Sequence, residues 1–499
     1  MQADEERTMK ARMRLGDLLI QARLISPDQL TAALHQQADQ GGRLGVHLVE
    51  TGAISQFDLD AFLHRMPSEP VDIAATRIHE NDLLGLLMKL IYTGHLETMR
   101  HFVDAIKLPY QVVDDLVRKA VDRQLLRSLG SRDMFSLTDT SYAVTEEGRR
   151  YTQDELQQCR YAGPAPVSLE EFIEVINLQK ITNEAVTYDR LRHAFGDLVV
   201  DDQIVEKCGP ALNSGRAMLL YGPPGNGKTS VALSFTSLFN DVIYVPYAIM
   251  VEGQIIRMYD PSYHTLRPTE LANEDLNPVL IRREEYDGRW VPCQRPFIVA
   301  GGELTLDMLD LRYDVNSSTY EAPLHVKALG GCFIIDDFGR QLVSPTALLN
   351  RWIVPLENRI DYLKLHTGKS FTLPFEELVI FPTNLEPEEL MDAAFLRRLP
   401  FKIEVGAPTL DQYREIFQKE CARRNILLSP ELFDSIVYKI TQEKCMELAA
   451  YHPRFIVDQV AATCRFMGQP DHFEPRYVQH AVDNLRVHRK GDPRPTHPA

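Results

Sequence analysis

Three apolar runs, each ending in residues with chemistry to offer, organise the C-terminal part of the chain. Ala217-Met218-Leu219-Leu220-Tyr221 reads as a buried strand that hands over to the glycine-rich stretch from Gly222 to Ser230, with a helix expected from Ser230 to Phe239. Cys332-Phe333-Ile334-Ile335 ends in Asp336-Asp337, and Glu377-Leu378-Val379-Ile380-Phe381 ends in Pro382-Thr383-Asn384. Between the second and third runs, Asp361 to Pro374 alternates apolar and polar residues around Thr367-Gly368, the pattern of a β-hairpin. Arg289 to Phe297 reads as a short β insertion inside the longer stretch from Tyr244 to Lys327, where Tyr259 and Tyr263 either fill a core or line a pore.

Upstream, the periodicity is helical. Leu83 to Tyr92, Met99 to Ile106 and Gln111 to Asp122 precede two short strands near Leu125–Leu129 and Ser141–Val144, followed by a Thr145-Glu146-Glu147-Gly148 turn. That order resembles a winged helix. Its third helix mixes Asp114, Asp115 and Asp122 with Arg118, Lys119 and Arg123, so protein contact is favoured over base reading while DNA stays open. Tyr161 to Val167 reads as a linker. At the N-terminus the chain repeats itself: Arg14-Leu15-Gly16 returns as Arg43-Leu44-Gly45, Ile25-Ser26 as Ile54-Ser55, and Leu30 and Leu34 as Leu59 and Leu63. Each copy is a pair of helices whose apolar stripes bury one another.

Composition narrows the class. A chain of 499 residues suggests about three domains. No run of about 18 uncharged apolar residues occurs, and Met1 to Arg14 is dense in charge, so a cytoplasmic protein without membrane insertion is expected. The seven cysteines form no C-x-x-C pair, which suits reduced thiols better than a disulfide framework or zinc site. A net charge of −16 argues against coating nucleic acid, though a local basic patch stays open.

Gly222-Pro223-Pro224-Gly225-Asn226-Gly227-Lys228-Thr229 satisfies G-x-x-x-x-G-K-[ST] between a strand and a helix. Glycines keep Cβ atoms away from phosphate oxygens, Lys228 brings a point charge to the β- and γ-phosphates, and Thr229 offers a hydroxyl to Mg²⁺. Asp336 is expected to hold the metal, and Asp337 to orient or deprotonate the attacking water.

The order of loop, acidic strand and amide strand resembles the AAA+ ATPase family. By that resemblance Asn384 stands at the sensor-1 position, and Met391 to Ile403 is similar to the arginine-finger segment, with Arg398 favoured over Arg397. His452-Pro453-Arg454 is similar to the sensor-2 start of a C-terminal helical lid. The family usually carries Glu where Asp337 stands, which implies slower turnover. The hairpin at Asp361–Pro374 resembles one that some AAA+ clades insert before sensor 1. The N-terminal repeat resembles the cyclic-di-GMP-binding N-terminal domain of type II secretion and type IV pilus assembly ATPases. That resemblance implies ligand contacts from Arg14, Leu15, Gly16, Gln37, Arg43, Leu44 and Gly45, with Met66 replacing the second glutamine.

The expected architecture is multidomain: a helical repeat domain (1–70), a winged-helix-like domain (78–158), a linker (159–168), an α/β P-loop core with a parallel sheet flanked by helices (169–408), and a helical lid with C-terminal tail (409–499). The resemblances imply a ring, commonly a hexamer, that binds and hydrolyses Mg-ATP to remodel a protein client under cyclic-di-GMP control. A DNA-binding regulator or DNA-remodelling motor is the competing reading.

Overall fold

The computed structural model describes residues 16, 19–20, 24–40, 44–63, 66–131, 140–183, 185–239, 241–267, 286–390 and 396–485. They fall into two compact units that interleave along the chain: residues 1–185, 239–333 and 347–379 form one, and 186–238, 334–346 and 380–499 the other.

The first unit opens with helices Pro27–Gln40, Leu44–Glu50 and Gln56–Leu63. Serine caps start two of them, reciprocally in the first: Gln29 N donates to Ser26 Oγ while Ser26 N donates to Gln29 Oε1, and in the second Asp58 N donates to Ser55 Oγ. The repeat has a packing cause. A Cβ on Gly16 would lie 2.4 Å from Leu30 Cδ1, and one on Gly45 would lie 3.0 Å from Leu59 Cδ2, so each copy seats a leucine on its glycine. Those leucines join Leu19, Ile25, Leu44, Leu48 and Ile54 in a small core.

Next come helices Glu80–Gly94, Met99–Ile106 and Tyr110–Asp122, then strands Leu126–Ser131 and Thr140–Val144 paired antiparallel. The segment expected as a Thr-x-x-Gly turn is instead a helix start. Thr145 Oγ1 accepts from Gly148 N and opens helix Glu146–Gln158. The third helix spends its cations locally: Arg118 pairs with Asp114, and Lys119 and Arg123 both pair with Glu80. Within the stretch expected as a linker, Ala165 is buried and donates to Ile106 O, and Val167–Ser168 is a strand.

That strand ends a five-stranded sheet ordered Arg312–Asp314, Thr319–Glu321, Gln254–Arg257, Ala248–Val251, Val167–Ser168. Val242–Pro246 pairs antiparallel with Trp290–Gln294, and Ile360–Lys364 with Ser370–Pro374. Gly368 takes φ +90° in the latter hairpin's turn, as its Thr-Gly signal implied. Tyr259 packs against Tyr247 and His264, the core-filling role, whereas the Tyr263 ring lies under the Lys327 ammonium.

In the second unit, helices Tyr188–Phe195 and Asp202–Ser214 precede strand Met218–Tyr221, and helices Leu410–Arg423, Pro430–Tyr438, Tyr451–Phe466 and Pro475–Asp483 close the chain around a core that includes Tyr413, Phe417, Ile436 and Val460. A second five-stranded sheet has the order Phe401–Glu404, Met218–Tyr221, Leu378–Pro382, Cys332–Ile335, Phe297–Ala300, with both neighbours of Met218–Tyr221 parallel to it. The molecule is therefore a mixed α/β protein with a parallel sheet flanked by helices. Phe297–Ala300, at the end of the stretch read as an insertion, is a strand of this sheet.

Candidate functional site

Strand Met218–Tyr221 has a neighbour on each side in its sheet, so the loop that follows emerges beside the ends of neighbouring strands. Gly222 has φ +133°, and a Cβ there would stand 2.6 Å from Val405 O. Gly225 has φ +80°, and its Cβ would stand 2.3 Å from Tyr451 Cδ1. Neither position has room for a side chain. The α-helix after the loop begins at Lys228 and spans only Lys228–Ser234, the remainder of the expected helix tightening to a 3₁₀ segment at Phe235–Leu238.

Four polar side chains named from the sequence meet here in pairs. Thr229 Oγ1 donates to Asp336 Oδ1 at 2.7 Å, and Asn384 Nδ2 donates to Asp337 Oδ1 at 2.8 Å. The sheet order explains the convergence: Leu378–Pro382 lies between the loop strand and Cys332–Ile335, so the polar ends of all three strands are neighbours. Lys228 is 6% exposed and donates to the carbonyls of Gly222 at 2.9 Å and Pro223 at 2.8 Å. Burial pulls its pKa down, and the Asp337 and Asp336 carboxylates oppose that shift. Thr229 and Asp336 present hard oxygen ligands of the kind that suits Mg²⁺, which commonly takes only one or two protein carboxylates beside phosphates.

The turn after the acidic strand was not legible as part of the site. Asp337 adopts φ +49°, a left-handed conformation unusual for a residue with a side chain. Phe338 N donates to Pro382 O, and Thr383 Oγ1 donates to Phe338 O at 2.7 Å. Gln341 brackets the same turn from the other side. A glutamine four residues beyond an acidic pair carries no sequence signal.

Helix Tyr451–Phe466 starts against the glycine-rich loop: Tyr451 N donates to Gly225 O at 3.0 Å and Ala450 N to Asn226 Oδ1 at 3.1 Å. Arg454 lies in its first turn, but its side chain is 74% exposed and faces Asp458 at 3.8 Å. Arg397 is exposed and Arg398 half-buried ahead of strand Phe401–Glu404. Met391 to Phe395, and Arg14, Leu15 and Arg43 of the repeat, lie outside the described residues. Gly16, Gln37, Leu44 and Gly45 are buried, and each of the two glycines seats a leucine.

Residues 409–484 match a protein family described as a domain of unknown function (DUF8689). Over 83 residues, 17% of this chain, the sequence is 37% identical to the type IV pilus assembly ATPase PilB of Myxococcus xanthus (strain DK1622), and the match spans 15% of that protein. The crystal structure of NtrX from Brucella abortus aligns with a TM-score of 0.34 and 12% identity, covering 69% of this chain and 63% of that one. Among the described residues, no helix is long and apolar enough to cross a membrane.

Proposed function

We propose that the chain is an ATP hydrolase of the AAA+ kind. The observation that carries this reading is the pair of hydrogen bonds Thr229–Asp336 and Asn384–Asp337, which unites a phosphate-binding loop with an acidic strand end and a polar amide. In this proposal Gly222 to Ser230 cradle the phosphates and Lys228 leaves its loop carbonyls for the β- and γ-phosphate oxygens. Thr229 and Asp336 would hold Mg²⁺, which supplies charge neutralisation when bound. Asp337 accepts the proton of the attacking water, and Asn384 fixes that carboxylate and polarises the γ-phosphate. Arg454 acts from the C-terminal helices, and Arg398 or Arg397 reaches the nucleotide of a neighbouring copy in a ring, taken as a hexamer.

The reading extends to a cytoplasmic motor that remodels a protein client. Its layout is a repeat domain at 1–70, a winged-helix-like domain at 78–158, a linker at 159–168, a core at 169–408 and a lid at 409–499. The repeat domain takes cyclic di-GMP as a regulator. The partial likeness to a pilus assembly ATPase supports nucleotide use. The local pairing of Arg118, Lys119 and Arg123 with carboxylates favours a protein partner over DNA at the third helix. The test is equilibrium binding of a fluorescent ATP analogue: wild type binds and Lys228→Ala does not. Equal binding by both would refute the assignment of the loop.

A further inference from the structure

The turn that carries Asp337 is held by a side chain to which the reading above gives no role. Gln341 Nε2 donates to Asp336 O at 2.8 Å and to Asp337 O at 3.2 Å, and its Oε1 accepts from Gly339 N at 2.8 Å. One amide thus bonds three main-chain groups of a four-residue span, Asp337 O also accepting from Arg340 N. Within that span Asp337 sits at φ +49° and Gly339 at φ +104°, so the chain crosses the left-handed region twice. A left-handed residue with a side chain is disfavoured, and it persists where its surroundings over-determine it.

The opposite side of the turn is tied to the sensor strand through both backbone groups of Phe338. Those bonds set the depth of the turn. They also hold the peptide plane after Asp337, since Phe338 N–H and Asp337 C=O share it and Arg340 N donates to the same carbonyl. The plane before Asp337 is held through its carbonyl, Asp336 O, by Gln341, and rotating it would disturb the Asp337 backbone that brings its Oδ1 to 2.8 Å from Asn384 Nδ2.

We propose that Gln341 is a positioning residue for hydrolysis, clamping the Asp336–Gly339 turn so that the Asp337 carboxylate is aimed at the attacking water. This rests on the ATPase reading. Gln341 is half-buried and belongs to no apolar core cluster, so replacing it leaves the packing of the fold in place. Misplacing a reacting group by about 1 Å costs on the order of 10²-fold in rate. The loss should fall on kcat, because the phosphate loop that binds nucleotide does not depend on this clamp.

The test compares the full-length chain with Gln341→Ala and Gln341→Met, the latter keeping length without hydrogen bonds, and with Lys228→Ala as the inactive reference. Steady-state Mg-ATP hydrolysis, affinity for a fluorescent ATP analogue and the thermal midpoint are read for each. Expected is a kcat lower by about 10- to 100-fold in both Gln341 variants, with KM and analogue affinity within about twofold and the midpoint little changed. Wild-type kcat in both variants would overturn the inference while leaving the ATPase reading intact. A parallel loss of affinity and thermal midpoint would also overturn it, by showing a merely structural role. A wild type no faster than Lys228→Ala would overturn the ATPase reading, and this inference with it.

Discussion

Asp337 shows how a single residue can be spent on geometry. It holds a left-handed backbone, accepts from Asn384, and by proximity helps keep Lys228 charged despite burial. Glu377, one residue before strand Leu378–Pro382, is the opposite case. Its carboxyl is completely buried, neither oxygen has a hydrogen-bond partner among the described residues, and burial drives its pKa well above the usual carboxylate range. A raised folded pKa means that its contribution to stability is fully present below the unfolded value and is lost as pH rises through the folded one. Glu377→Gln is therefore expected to raise the thermal midpoint at pH 8 and to change it little at pH 4. Equal midpoints at pH 8 would show that the buried carboxyl carries no such penalty.

Among elements, the start of helix Tyr451–Phe466 combines packing and chemistry. It bonds the glycine-rich loop through Gly225 O and Asn226 Oδ1, and behind it His452 is buried with Nδ1 accepting from Ala449 N. Burial pushes the His452 pKa down to about 4. Here the unfolded chain binds the proton first, so stability is present above about pH 6.5 and falls as pH drops toward 4, by at most about 3 kcal/mol. Melting curves across that range should show a steeper acid loss for wild type than for His452→Gln. Identical slopes would mean that His452 is not what titrates.

The strands that build the site were legible because each is an apolar run with polar residues at its end. The hairpin at Ile360–Pro374 was legible because alternation and a Thr-Gly turn agreed. Three features were not. Thr145 caps a helix where a turn was read, Phe297–Ala300 belongs to the parallel sheet despite its place beside an insertion, and the Lys228 helix tightens after seven residues. Phe297–Ala300 depends on strand partners distant in sequence, and the turn at Gly148 is likewise packed from afar, a Cβ there standing 2.1 Å from Leu125 O. Local patterning carries no trace of such contacts.

At the scale of the whole molecule, the described chain places Lys228, Thr229, Asp336, Asp337 and Asn384 in one unit, while Arg397, exposed, and Arg398, half-buried, precede its edge strand Phe401–Glu404. A finger acting between copies predicts that Arg398→Ala keeps nucleotide affinity and loses turnover by about 10³-fold. Mixing Arg398→Ala with Lys228→Ala should then restore part of the activity, since some interfaces pair an intact loop with an intact arginine. Failure of the mixture to recover any turnover would place the arginine's action elsewhere.

The site itself is tested most directly by Mg-ATP turnover and nucleotide retention in Asp337→Asn beside wild type. The expected result is loss of about 10²- to 10⁴-fold in turnover, the range for removing a general base, with ATP retained uncleaved on the variant. Turnover by Asp337→Asn at the wild-type rate would contradict the assignment of this acidic turn as the seat of hydrolysis.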